Sequence, residues 1–289
     1  MAMTAQGVVD RIRRKLGLGW QDSPVDTILA GKPDTQVTGI VTTYAPSLEV
    51  LHKAVDSGKN MIISRESPYW MRSSMEEGGA GMAPDGTGRS NAQPLEKNDP
   101  IYLAKLDYIQ ANNLVVYRFF ANWDAQPEDM QLKALARALG WEQYYKPSSG
   151  QPWATDNAFF ELPPATLKET AQHIKKTLNM KSIRVSGKPE TVVHKAALSH
   201  GMYWLADLQK LYAQPDVDLL VMGEPKWENE IGLYSFDVAD SGQKKGCILL
   251  GQQVSEEPGC GEVAAWLKSF ITEIPVEHIS ATEPSWMPY

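Results

Sequence analysis

Gly31-Lys32-Pro33-Asp34-Thr35-Gln36-Val37 returns as Gly187-Lys188-Pro189-Glu190-Thr191-Val192-Val193, at an offset of 156 residues (187 less 31). A single recurrence at that distance, with related sequence after each copy, predicts two similar lobes; a solenoid repeats about every 20 to 50 residues. Thr38-Gly39-Ile40-Val41 and His194-Lys195-Ala196-Ala197 follow the two copies and read as short strands, each leading to a helical stretch. The next apolar runs, Asn60-Met61-Ile62-Ile63 and Asp218-Leu219-Leu220-Val221-Met222-Gly223, end at Glu66 and Glu224, 158 residues apart (224 less 66). Strand, helix, strand at this spacing is a βαβ unit, with parallel neighbours and ligand sites beyond the strands' C-terminal ends. The expected fold is α/β, two similar lobes with mixed, partly parallel sheets and the functional site between them. The boundaries are placed at 1–143 with 246–289 for the first lobe, which carries most candidate site residues, and 144–245 for the second.

With 289 residues the chain can bury a core in each lobe. Its 28 Lys plus Arg against 35 Asp plus Glu give a net charge of −7, and no basic stripe interleaves with aromatics. Nucleic acid is a poor partner for such a surface. No apolar run approaches the roughly 20 residues that span a bilayer, and no membrane association is expected. As given the chain is expected to be cytoplasmic, with export open if a leader has been removed ahead of Met1-Ala2-Met3. Cys247 in an apolar run and Cys260 after Pro258-Gly259 read as free thiols.

Residues 4–16 carry Val8, Val9, Ile12 and Leu16 on one helical face, with Thr4 as N-cap. Strands are expected at 37–43, 59–64, 114–120, 183–186, 217–222 and 247–250. Helices are expected from Ser47, over 102–110, 128–139, 167–178, 202–212, 226–234 and 262–270. Residues 71–100 are rich in Gly, Ser, Asn and Pro and read as a long loop, for which a lid and an insertion without a role are both open. Residues 144–157 read as a linker.

Four acids, Glu66, Asp124, Glu224 and Glu256, stand at strand ends or in the turns after them. Carboxylates gathered at one edge need a shared cation or proton, which makes them candidate metal ligands. They also suit helix N-termini, and Ser255 with Glu256 reads well as a helix start. Aromatics crowd the same segments: Tyr69 and Trp70 follow Glu66, Trp123 precedes Asp124 and Trp227 follows Glu224. They suit either a planar ligand or core packing.

The ordered set Val37-Thr38-Gly39-Ile40-Val41, Arg65-Glu66, Asn122-Trp123-Asp124, Gly223-Glu224 and Gly251-Gln252 with Glu256 resembles the Nif-three-like dinuclear metal centre family. That family is also called the GTP cyclohydrolase I type 2 family, and the resemblance runs from about Thr4 to the C-terminal tail. It implies two α/β lobes, a two-metal site in the cleft between them and a ring-shaped homohexamer. It also implies Glu66, Asp124 and Glu256 as metal ligands. Where the family has His-His or, in one branch, His-Glu, however, this chain has Arg65-Glu66, and where it has Gly-His this chain has Gly251-Gln252. The five histidines, His52, His173, His194, His200 and His278, fall elsewhere in the pattern, and His200, beside Gly201 after the second-lobe strand, is the one to watch.

An all-oxygen ligand set favours Mg, Mn or Ca, whereas the resemblance favours Zn or Fe. Two readings follow. In the first, a metal-dependent hydrolase acts on a small molecule: Glu66, Asp124 and Glu256 hold the ion, Gln252 orients water or substrate, and Glu228 or Glu224 is the base. In the second, a metal-free binding or scaffold protein uses Arg65 to replace the metal charge, with Asn122, Trp70 and Trp123 around a small-molecule ligand.

Overall fold

The computed structural model describes residues 3–23, 25–69, 99–147, 153 and 157–288. Trp70 and residues 71–98 of the expected loop lie outside the described residues. The elements in chain order are α1 (Ala5–Leu16), β1 (Ile28–Ala30), β2 (Ile40–Thr43), α2 (Leu48–Asp56), β3 (Met61–Ser64), α3 (Pro100–Ala111), β4 (Val115–Arg118) and α4 (Ala121–Asp124). There follow α5 (Met130–Ala138), β5 (Tyr145–Lys146), β6 (Ala158–Thr166), α6 (Leu167–Thr177), β7 (Arg184–Ser186), β8 (Val192–Leu198), β9 (Met202–Tyr203) and α7 (Leu205–Tyr212). The chain ends with β10 (Leu219–Met222), β11 (Glu224–Pro225), α8 (Glu228–Asp240), β12 (Gly246–Leu249), α9 (Gln252–Lys268) and β13 (Val276–His278).

Two compact units share these elements: Met1–Gln126 with Cys260–Thr282, and Pro127–Gly259 with Glu283–Tyr289. The first holds a sheet of order β1-β4-β3-β2-β13, in which only β1 runs antiparallel to its neighbour. The second holds a sheet of order β5-β6-β8-β10-β12-β7 with β8, β10 and β12 parallel. Every residue of β2, β3, β4, β10 and β12 is buried, as expected for parallel strands covered on both faces. Around β10, Leu219 and Val221 join Leu167, Ile174 and Ile248 on one side. Leu220 and Met222 join Leu208 and Ile231 on the other.

The register makes the repeat explicit. Met61 of β3 pairs with Ile40 and Val115, as Leu219 of β10 pairs with Ala196 and Gly246. Thus β2, β3, β4 and antiparallel β1 correspond to β8, β10, β12 and antiparallel β7. The repeated heptapeptide itself closes a helix. Ala5 and Gln6 N–H donate to Thr35 and Pro33 O at 2.9 and 2.8 Å, and Leu167 and Lys168 N–H donate to Thr191 and Pro189 O at 2.7 and 3.1 Å. Each copy therefore meets the first unsatisfied donors of α1 or α6, while Thr4 or Thr166 caps a third. The leading glycine has φ +83° at Gly31 and +128° at Gly187, and a Cβ on Gly31 would lie 2.2 Å from Leu114 O.

The structure departs from several sequence expectations. Gly246–Leu249 is β12, an interior strand of the second unit's sheet between β10 and β7, and Pro127–Gln143 also belongs to that unit, so the boundaries at 143 and 246 shift to 126 and 259. The nine-residue β6 was not expected, because Pro163-Pro164 interrupts it; its register shifts between Glu161 and Ala165 to accommodate them. Helix α9 begins ten residues before the expected Glu262 and carries Pro258 inside it, so Ser255 and Glu256 are helix interior and not a helix start. A proline there removes one internal bond and strains the turn before it, yet the packing retains the helix. Among the described residues no helix is long and apolar enough to cross a membrane.

Candidate functional site

Beyond the C-terminal ends of β3 and β4 the first unit gathers two cations and two carboxylates. Arg65 Nη1 and Nη2 donate to Asp124 Oδ1 and Oδ2 at 2.9 and 2.7 Å, a bidentate fork. Arg118, which ends β4 and is 2% exposed, lies 3.6 Å from Glu66 Oε2 and donates from Nε to Arg65 O at 3.0 Å. Both guanidinium groups pack on the Phe120 ring, at 5.2 Å for Arg65 and 4.8 Å for Arg118. The turn that presents Asp124 is itself pinned. Asp26 Oδ1 accepts from Phe120 and Ala121 N–H, and Oδ2 accepts from Asn122 N–H and Nδ2. Asn122 Oδ1 also accepts from Gln21 N–H at 2.7 Å, so this buried residue braces a loop.

The aromatic neighbours are largely core. Trp123 is 4% exposed and meets Trp266 and Phe119 edge-on at 5.5 and 6.3 Å, while Tyr69 packs on Tyr102. Trp227 is exposed.

The second unit has its own cluster. Glu256 lies within α9 with 1% exposure, and His200 follows β8. His200 Nδ1 is 3.1 Å from Glu256 Oε1 and Nε2 is 3.0 Å from Asp129 Oδ2. Two carboxylates facing both ring nitrogens require two N–H donors, that is, an imidazolium. Burial opposes that charge, but hydrogen bonds to Asp129 and Glu256 outweigh it and the pKa rises to about 10. Gln252 Nε2 donates to Glu256 Oε2 at 3.3 Å along the helix. Gly201 (φ +62°) lets the chain pass Glu256, since a Cβ there would sit 2.9 Å from Oε1. Ser255 accepts from Gly201 N–H and donates to Gln252 O.

The proposed base Glu224 is exposed, its backbone engaged in the short β11–β9 pair. The side chain of Glu228 lies outside the described residues. The structure thus brings Arg65, Glu66 and Asp124 together in the first unit, and Gln252 and Glu256 in the second. Sequence reading missed Asp26, Arg118 and Asp129. Only Asp129 carried a signal, as an Asp three residues before Leu132, whose N–H its side chain caps.

Residues 93–283 match the family profile Duf34/NIF3 (NGG1p interacting factor 3), about two thirds of the chain. The chain belongs to the NIF3 family. Solved structures similar to this NIF3-family chain include Staphylococcus aureus hypothetical protein SA1388, with TM-score 0.69, 17% identity and 100% of both chains covered. A Bacillus cereus protein related to NIF3 has TM-score 0.67 and 13% identity over 100% of both chains. TTHA1606 from Thermus thermophilus has TM-score 0.61 and 17% identity over 99% of this chain and 100% of that one. At these identities the likeness shows the NIF3 fold. No curated protein sequence matches the chain.

The donors present do not fit the dinuclear centre that the NIF3 resemblance implies. Asp124 has both oxygens on Arg65, Glu66 faces Arg118, and Glu256 faces an imidazolium. An ion beside Asp124 or Glu66 would stand against a guanidinium charge, and one beside Glu256 would have to displace the imidazolium proton. Among the described residues no group of three or more His, Cys, Asp or Glu could hold a metal ion.

Proposed function

We propose that this NIF3-family chain is a metal-free binding or scaffold protein in which its own cations take the place of the metal charge. The bidentate Arg65–Asp124 pair carries this reading. A guanidinium keeps its charge at every physiological pH and matches a carboxylate geometrically, so Asp124 is neutralised without an ion. His200 supports the same reading for Glu256. With no ion there is no metal-bound hydroxide to attack a substrate, and the metal-dependent hydrolase, with Mg, Mn, Ca, Zn or Fe, is the less supported reading.

The test is elemental analysis of protein purified without chelator, beside Arg65→His, which returns an imidazole and frees Asp124. The expected wild-type result is no stoichiometric metal, with zinc or iron gained only by the variant. Stoichiometric, tightly bound zinc or iron in the wild type would sink the proposal. Family membership also supports a homohexamer, which light scattering would check by mass.

A further inference from the structure

Helix α8 carries apolar side chains on two faces. The inner face packs on the second unit's sheet, where Ile231 and Val238 join Leu208, Leu220 and Met222. On the outer face Leu233 and Phe236, neighbours at i and i+3, are 63% and 60% exposed. A helix covered on one side by its own sheet ordinarily turns polar residues to the other. Single apolar residues scattered over a surface need no explanation, but an adjacent Leu and Phe on one helix ridge have the form of a docking anchor.

The charges around that pair indicate what covers it. Glu230, Asp237 and Asp240 are exposed along the same stretch of α8. Among the described residues none of the three makes a side-chain hydrogen bond or ion pair. Asp237 and Asp240, a like-charge pair at i and i+3, lie in the last turn, where the negative end of the helix dipole repels them. The other helices supply the contrast: α1, α2, α5, α6, α7 and α9 each place Lys or Arg in the last turn. In α8 no basic residue stands there, and a docked partner can supply the missing cations.

Two copies of this face meeting each other would set carboxylate against carboxylate, in a chain whose net charge is already −7. An anionic lipid surface or a nucleic acid is repelled in the same way. From Glu230 to Asp240 α8 rises about 15 Å, close to three turns. A partner helix of that length lying along α8 can set apolar residues on Leu233 and Phe236 and Lys or Arg beside the acids.

We infer that the outer face of α8 docks a basic amphipathic helix of a partner protein. This adds a partner to the scaffold reading, and the face shares no residue with the Arg65 or His200 clusters, so a metal found at either would leave it standing.

Fluorescence anisotropy on the full chain tests it with two labelled helical peptides of about 15 residues, one of Leu and Lys in amphipathic order and one with every Lys replaced by Glu. The Leu–Lys peptide is expected to bind and the Leu–Glu peptide is not. Phe236→Ser, at an exposed position, should weaken binding at least about tenfold. Asp237→Lys with Asp240→Lys should make the chain prefer the Leu–Glu peptide, and carries the test if Phe236→Ser does not fold. The inference is overturned if the Leu–Lys peptide does not bind or binds no better than the Leu–Glu one, if Phe236→Ser leaves its affinity unchanged, or if the charge reversal leaves the preference as it was. It is overturned equally if light scattering shows that Phe236→Ser breaks up an oligomer, since the face would then belong to a second copy.

Discussion

At the residue scale, the buried charges are where single substitutions should show most. Glu256 is sealed beneath Gly201 and answered by His200. His200→Gln removes that cation and leaves a buried carboxylate uncompensated, a change worth about 3–5 kcal/mol of stability in urea unfolding. A loss below about 1 kcal/mol would show that Glu256 does not depend on the imidazolium. The thiol of Cys247 gives a second check. Burial pushes its pKa up to about 12, so it should stay unreactive to a disulfide reagent at pH 8 until the protein unfolds. Little of this was legible beforehand. His200 could be singled out by its place after the second-unit strand, but its two acids come from residues 129 and 256, and no sequence spacing links them.

At the element scale, the repeated heptapeptide is a helix-closing turn, and its conformational demands can be tested by comparing glycines. Gly31 and Gly17 both have positive φ, but a Cβ on Gly17 meets nothing within 4 Å while one on Gly31 collides with Leu114 O at 2.2 Å. Gly17→Ala should cost only the strain of its positive-φ backbone, about 1–3 kcal/mol. Gly31→Ala should cost clearly more, measured on the same denaturation curve; equal losses would mean the strand start yields freely. The Thr4 and Thr166 hydroxyls cap the helices that this turn closes. Replacing either by Ala should cost about 1 kcal/mol. Period and capping made α1, α2, α6 and the buried strands readable. They failed at β6 and at α9, where a Pro pair and Pro258 carry breaker signals that tertiary packing overrides.

At the scale of the whole molecule, the chain leaves the first unit at Gln126, returns at Cys260 and leaves again after Thr282. The returning segment is tied back by a surface pair, with Arg11 of α1 donating to both oxygens of Glu273 at 2.9 and 2.8 Å. Chiefly through the Arg11 hydrogen bond, the Glu273 pKa falls from 4.5 to about 2. A depressed carboxylate contributes stability that is present above pH 4.5 and lost as pH falls from there towards 2. Glu273→Gln should therefore flatten that part of the acid unfolding profile while leaving the profile above about pH 5 parallel to wild type. An unchanged acid limb would show that solvent screens the pair completely. By itself the sequence determined that there are two similar α/β halves, because a doubled motif and doubled strand-helix-strand order are local patterns. Which half owns β12, and which cation meets which carboxylate, were decided only by the tertiary structure. Those pairings join residues 59, 56 and 71 positions apart, and their partners are chosen by strand order and burial, which no local period records.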